Sequence, residues 1–438
     1  MITKSQGQLE NFAQMADTVS SANNAPKWFQ EIRTQSLSRF LELGIPTTKD
    51  EEWKYTSVAS LAGVPFKLAL KSDLAETAAF DEYAQNDEIR IVLVNGFLSP
   101  KLSFLPKNIK GLTYLPLQDA LKSHAEEIKN ILGRHAPGSE SAFVALNKAL
   151  VQEGVFIKVD PKAVCEKLIH IVHVTSNPGA QVAVSSRAII SVGKSSQASI
   201  LQSHVAFDDK ISYFTNALTD IFIDENATLN YCKAQKESLN AYHIDNTRVW
   251  QERSSNLEGF SIMCGGKLTR NNLDIIIDGE GANSTLNGLY CLNGAQHADN
   301  HTSVDHRFPN CTSNQLYKGI LNGSSRAVFN GKIFVKPIAQ KTNSYQLNKN
   351  LLMGKDCRVD TKPQLEIFAD DVKCTHGATI GQLDPDEIFY LQTRAIPKDK
   401  VIQMLARGFV DELLNMIKDE EINRKLHLLL EPSLAQLQ

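Results

Sequence analysis

Between Leu168 and Ile380 one phrase keeps returning: a short β-branched run, a polar turn built on Gly, Asn or Asp, then a strand of small residues. It stands at Ile189-Ile190-Ser191-Val192-Gly193, Ile221-Phe222-Ile223-Asp224-Glu225-Asn226-Ala227, Ile275-Ile276-Ile277-Asp278-Gly279, Gly319-Ile320-Leu321-Asn322-Gly323 and Leu365-Glu366-Ile367-Phe368-Ala369. The copies share little identity, so a pattern repeats rather than a wording. With hardly any helical periodicity across some two hundred residues, such a unit can close as a sandwich, a propeller or a solenoid. A parallel β-helix is the favoured form, its coils of very roughly 20 to 25 residues stacking on one continuous apolar column. An open terminal coil exposes unpaired backbone, so the flanking segments are expected to cover both ends.

The flanks read differently. After Pro26, the apolar positions Phe29, Ile32, Leu37, Phe40 and Leu41 fall near helical spacing, and Gly44 with Pro46 supplies a stop. The run Ile89–Val94 leads into Asn95-Gly96, the signal of a strand entering a hairpin. At the other end, Asp384-Pro385-Asp386-Glu387 places a cap, a proline and acids where a helix starts. Pro397 opens a second helix carrying Val401, Leu405, Phe409, Leu413 and Ile417, and a third is expected through Ile422, Leu426 and Leu429 until Pro432. The division that follows is a helical, mixed region over 1–150, a β-helix core over 151–380 and a helical region over 381–438.

Composition excludes more than it assigns. Lys+Arg 46 against Asp+Glu 49 gives a net charge of -3, which speaks against nucleic acid as the main partner. No stretch approaches the apolar length of a membrane span and no leader is visible at Met1–Asp17, so the chain reads as cytoplasmic. Seven cysteines without a CxxC pair read as reduced, mostly buried thiols. Gly193-Lys194-Ser195 imitates the end of a phosphate loop, but the loop's first glycine would fall on Ala188, so it reads as a β-turn. If the function needs ATP, a partner must bring it. Nor is there a G-x-S-x-G or a groupable triad, and catalysis by this chain alone is not expected.

Two constellations have metal-ligand chemistry. On a strand, His297, Asp299 and His301 would share a face, with His306 just beyond, a plausible N and O donor set; His and Asp also serve simply as hydrogen-bonding groups. Cys374-Thr375-His376 likewise puts a thiol and an imidazole on one face, both accepted iron ligands. Their Cα atoms would stand roughly 6.5 to 7 Å apart, which suits a shared or bridging site better than chelation of one ion. The bland reading is a buried Cys and a hydrogen-bonded His.

Long segments of the chain resemble the SufB/SufD family of the SUF iron–sulfur assembly system. Gln296-His297-Ala298-Asp299-Asn300-His301-Thr302 with His306, Leu316–Gly319, Phe329–Lys332, Lys362–Thr379, Phe389-Tyr390-Leu391 and Arg394–Pro397 carry the likeness, and Pro46–Thr56 extends it to the N-terminal region. His376-Gly377 after Cys374-Thr375, and the short N-terminal half, are similar to the SufD branch rather than the SufB branch. Ala395 stands where the family usually has Gly.

The resemblance implies a mainly β protein with a right-handed parallel β-helix between an N-terminal helical α/β domain and C-terminal helices. It implies a non-catalytic scaffold with no cofactor of its own, pairing with a SufB-like subunit, or with itself in isolation. His376, and less directly Cys374, would then join a transient iron–sulfur cluster or iron at that interface. It also implies docking of a SufC-like ATPase on the C-terminal helices, around Phe389, Tyr390, Arg394, Ile396, Pro397, Met404, Leu405 and Phe409. Two other classes remain open at this point, a β-helix enzyme acting on polysaccharide and a metal-storage protein using the histidine stretch.

Overall fold

The computed structural model describes residues 4–22, 25–72, 88–107, 109–134, 140–176, 181–206, 208 and 210–436. From Val155 to Gly381 the chain winds between two ten-stranded sheets, and each strand of the winding pairs in parallel with the strand two places along. A sandwich would require antiparallel neighbours, so the repeat closes as a solenoid.

The recurring phrase has a structural meaning. Ile157, Ile190, Ile221, Val249, Ile275, Val304, Ile333 and Leu365 occupy one register position on successive rungs of the first sheet. Seven of these eight are fully buried, which makes the ladder a continuous apolar column. Four copies of the phrase lie on this ladder, whereas Gly319–Gly323 belongs to the second sheet. Rungs lie 26 residues apart at the least (Val249 to Ile275) and 33 at the most (Ile157 to Ile190), longer than expected. Each coil carries two strands of about ten residues, one per sheet, plus two turns.

Much of the remaining interior is polar. Among the residues facing it are His173, Gln202, Lys233, Asp245, Asn271, Asn300, Gln315 and Gln346, all buried. Hydrogen bonds link them along the axis: Asn271 Nδ2 to Asn300 Oδ1 (3.2 Å), Thr302 Oγ1 to Gln315 Oε1 (2.7 Å), and Gln346 Nε2 to the same Gln315 oxygen (3.3 Å). Burial without partners would cost several kcal/mol per group, so this network is a condition of the fold. Close packing adds another condition: the Tyr317 ring lies over Gly288 and the Tyr290 ring over Gly319, and a Cβ at either glycine would sit about 2 Å from ring carbons.

The flanking helices cover sides rather than ends. Helices Lys4–Ala22, Lys27–Leu43 and Ala142–Leu150 pack against Ala183, Phe214, Tyr242, Ile244 and Leu268 on the outer face of the first sheet. Helices Lys398–Leu414 and Glu420–Leu434 bury Val410, Leu413, Leu426 and Leu430 on the outer face of the second, against Leu201, Phe260, Leu289 and Ile320. The beginning of the solenoid is closed by the chain itself. The hairpin Ile89–Leu98, turned at Asn95 and Gly96 with positive φ, is followed by Leu105 and Ile109, which pack on the first apolar rungs. Among the described residues the end after Gly381 has no such cover, contrary to the expectation that both ends are capped. Helix Glu420–Leu434 also runs on through Pro432, because burial of Ser433 and Leu434 on the second sheet outweighs one lost backbone bond in the last turn.

Candidate functional site at the open end of the solenoid

Strands Arg358–Ile367 and Lys373–Gly381 are the last of their sheets, each hydrogen-bonded along one edge only among the described residues. Their residues are half-buried or exposed throughout, and Phe368 (60 %) and Ile380 (48 %) stand in solvent beside them. Two unpaired edges of nine to ten residues form a ready template for another chain's strands.

The last rung of the second sheet carries the sequence-derived pair. Cys374 stacks on Ser344 and Ser313, whose hydroxyls are 2.6 Å apart, and His376 stacks on Gln346 and Gln315. Both therefore continue the inward-facing polar columns, and both terminate them. Cys374 is half-buried beside the cluster of Ile333, Val335 and Ala369, and burial pushes its thiol pKa up; His376 is exposed. The thiol is thus held in its protonated form. All seven cysteines are free thiols, four of them buried.

The histidine stretch is brought together only in part. His297, Asp299 and His301 do share the outward face of strand His297–His306, whereas His306 points inward to the Ser313 hydroxyl at 2.9 Å. Residues from the N-terminal motif occupy the outward three. Thr56 Oγ1 donates to Asp299 Oδ2 (2.5 Å) and lies 2.9 Å from His297 Nε2, and His301 sits between Asp299 Oδ1 (3.0 Å) and Glu52 Oε2 (3.3 Å). Arg270 Nη1 holds Asp299 Oδ2 at 2.8 Å and the Glu52 carbonyl at 2.7 Å while its guanidinium stacks 3.9 Å from the Trp53 ring. Hydrogen bonds from His301 and Lys332 hold the Glu52 pKa down to about 2, against the opposing effect of burial. Their polar atoms are committed to docking Pro46–Thr56 on the sheet. Sequence reasoning singled out both motifs but missed Arg270, the residue that joins them.

Beyond Gly381 the chain leaves the body. Asp384 caps helix Pro385–Gln392, its carboxylate accepting from the Asp386 N–H at 2.8 Å, and no residue of that helix is buried. Phe389, Tyr390, Arg394, Pro397 and Met404 are exposed and Ile396 and Leu405 are half-buried, whereas Phe409 packs toward the second sheet, with Lys318 Nζ 4.4 Å from its ring centroid. Ala395 adopts φ 62°, the left-handed conformation that suits the family's glycine. Ala395→Gly is expected to stabilise the protein by about 0.5 to 1 kcal/mol; a lower denaturant midpoint for the variant would contradict this.

These features define a parallel β-solenoid closed at its start and open at its end, with a thiol and an imidazole on the open rung and one exposed helix, Pro385–Gln392, just after it. Two family descriptions match it: the SUF system FeS cluster assembly, SufBD core domain, over residues 173–409, and the SufBD protein N-terminal region over residues 3–171. The chain belongs to the SufB/SufD family of iron–sulfur cluster assembly proteins, and within it is SufD-like. It is 31% identical over 397 residues to the iron–sulfur cluster assembly protein SufD of Escherichia coli, covering 90% of each chain. A SufBD family protein of Synechocystis is 32% identical over 383 residues, 86% of this chain and 84% of that one. SufD of Bacillus subtilis is 23% identical over 416 residues, 93% and 94%. The family is one of assembly scaffolds, which displaces the polysaccharide-enzyme alternative. Among the described residues no helix is long and apolar enough to cross a membrane.

Proposed function

We propose that the chain is a scaffold subunit that pairs with a SufB-like protein through strands Arg358–Ile367 and Lys373–Gly381. His376, with Cys374 beside it, then contributes to a nascent iron–sulfur cluster site at the joint. The observation that carries this reading is that the solenoid ends on two unpaired strand edges, with His376 exposed at the head of an inward-facing column. One imidazole beside thiolates from the other chain is reasonable iron ligation. The exposed helix Pro385–Gln392 and the Tyr390–Arg394 pair, whose guanidinium lies 5.3 Å from the ring, would dock a SufC-like ATPase. Nucleotide-driven movement of that tail would reach the joint directly, since the helix begins four residues after the last strand.

Co-expression with SufB-like and SufC-like subunits, followed by size-exclusion with light scattering, tests the pairing. Wild type and His376→Ala are both expected to form the mixed complex, and the variant to yield at least tenfold less cluster on reconstitution. Only self-association of this chain, with no mixed complex, would refute the pairing. Normal cluster formation by His376→Ala would refute the role of that residue alone.

A further inference from the structure

Deep in the solenoid, two histidines and an aspartate from opposite sheets converge. His204 comes from strand Gln197–Ala206 of the second sheet, and His243 and Asp245 from strand Tyr242–Gln251 of the first. Asp245 Oδ2 lies 4.0 Å from His204 Nε2 and 3.7 Å from His243 Nε2, and one donor atom from each of the three residues falls within 4.8 Å of the others. None of the three is more than 2 % exposed, and Asp245 Oδ2 accepts no hydrogen bond among the described residues. A buried carboxylate oxygen left without a donor, between two imidazole nitrogens, is a costly arrangement, because a carboxylate loses more on desolvation than the neutral amide and hydroxyl atoms that also lack partners in this interior.

The surroundings orient these three groups as ligands. Glu237 Oε2 is 2.6 Å from His243 Nδ1, which leaves Nε2 facing Asp245, the carboxylate–histidine pairing that supports metal-bound imidazoles. Glu237 is itself fixed by the Thr215 hydroxyl at 2.7 Å. Lys233 Nζ takes the other Asp245 oxygen, Oδ1, at 2.7 Å and is shared with Thr247 and Asn271, so the carboxylate is aimed without being used up. His204 is held in plane by the His173 ring stacked on it, centroids 4.4 Å apart and planes within 6°. The Gln202 amide nitrogen also approaches, 3.5 Å from His204 Nε2. Two carboxylates, Glu237 and Asp245, face one ammonium, so neutral imidazoles leave the cluster one negative charge in excess.

We propose that His204 Nε2, His243 Nε2 and Asp245 Oδ2 form a binding site for one divalent first-row transition metal that ties the two sheets together inside the solenoid. Ligand bonds of about 2.1 Å set donors about 3.0 to 3.4 Å apart, so the side chains close by roughly an ångström on binding. Two imidazoles and a carboxylate suit iron(II), cobalt(II) or zinc(II), and leave positions open for a further small ligand. The site is distinct from His376, which lies at the far end of the same interior, and it is complete within one chain.

The full-length chain, produced without an affinity tag in cobalt-supplemented medium and purified alone, tests this by elemental analysis and X-ray absorption. The expected result is about one cobalt per chain in a nitrogen and oxygen shell, with imidazole scattering and no sulfur. Asp245→Asn and His204→Gln are expected to lower occupancy at least tenfold, and Glu237→Gln to weaken retention against a chelator by 10 to 100-fold. His376→Ala and Cys374→Ser are expected to leave occupancy unchanged. A metal-free protein, a sulfur-containing shell, or occupancy insensitive to Asp245 and His204 would each overturn the proposal. The absorption spectrum of wild type decides the question even if a variant folds poorly.

Discussion

Asp299→Ala is expected to lower the unfolding free energy by about 3 to 5 kcal/mol, the range for removing one partner of a buried ion pair. Asp299 is fully buried, and its carboxylate accepts from Thr56 and balances the Arg270 guanidinium, whose side chain is 3% exposed. Deleting the carboxylate strands that guanidinium against the Trp53 ring with only the Glu52 carbonyl and Asn272 Oδ1 as acceptors. The loss is therefore larger than that of a surface pair, which is worth at most about 1 kcal/mol. It is also directional, because Thr56 and Trp53 belong to the N-terminal region and Asp299 to the solenoid. Urea unfolding of the variant should show the drop, and proteolysis should cut earlier near Pro46–Thr56. Arg270→Met combined with Asp299→Leu should recover much of the stability, since no buried charge is then left alone. A loss below about 1 kcal/mol for Asp299→Ala would mean that the charges are better hydrated than the geometry shows.

What could be read from the chain alone follows from which forces repeat and which are singular. The apolar ladder repeats, so four of its rungs were visible at Ile190, Ile221, Ile275 and Leu365. Four rungs escaped, Ile157 among them; those at Val249, Val304 and Ile333 did so because their neighbours Trp250, Asp305 and Phe334 face outward under other constraints and disguise the phrase. Losing half of the eight rungs also hides the coil length, which depends on turns that vary freely at the surface. Helix caps are local chemistry, and Asp384, Gly44 and Asn95-Gly96 do in the structure what their types imply. Pro432 does not, because a tertiary contact overrides it.

The site divides along the same line. That Cys374 and His376 share a face follows from strand periodicity, and so does the grouping of His297, Asp299 and His301. That the second group is a docking clamp does not, since Thr56 lies 243 positions from Asp299, Glu52 farther still from His301, and Arg270 on the preceding rung. The interior grouping of His204 with His243 and Asp245 was missed for the same reason: only the register of the two sheets brings those strands opposite each other. An alternation such as His243-x-Asp245 in a strand flanked by apolar neighbours is the one local sign it leaves.

The inward turn of His306 has a consequence for acid stability. Burial pushes its pKa from the usual 6.5 down to about 4, with Asp305 acting weakly the other way. One ring nitrogen faces the Ser313 hydroxyl at 2.9 Å and Nδ1 has no hydrogen-bond partner among the described residues, so a second proton would be buried without an acceptor. The unfolded chain therefore binds the proton first as pH falls, and the folded state loses stability between about 6.5 and 4, with no effect above that window. One group shifted this far contributes roughly 3 kcal/mol across the window, about 2 to 3 kcal/mol of it by pH 4.5. His306→Gln keeps a polar group opposite Ser313 and removes the titration. Denaturant unfolding at pH 7.5, 5.5 and 4.5 should show the wild type more stable than the variant at neutral pH and the gap closing or reversing toward pH 4.5. Parallel pH profiles for the two proteins would place the acid sensitivity elsewhere, with half-buried His297, whose pKa burial also lowers, the next residue to substitute.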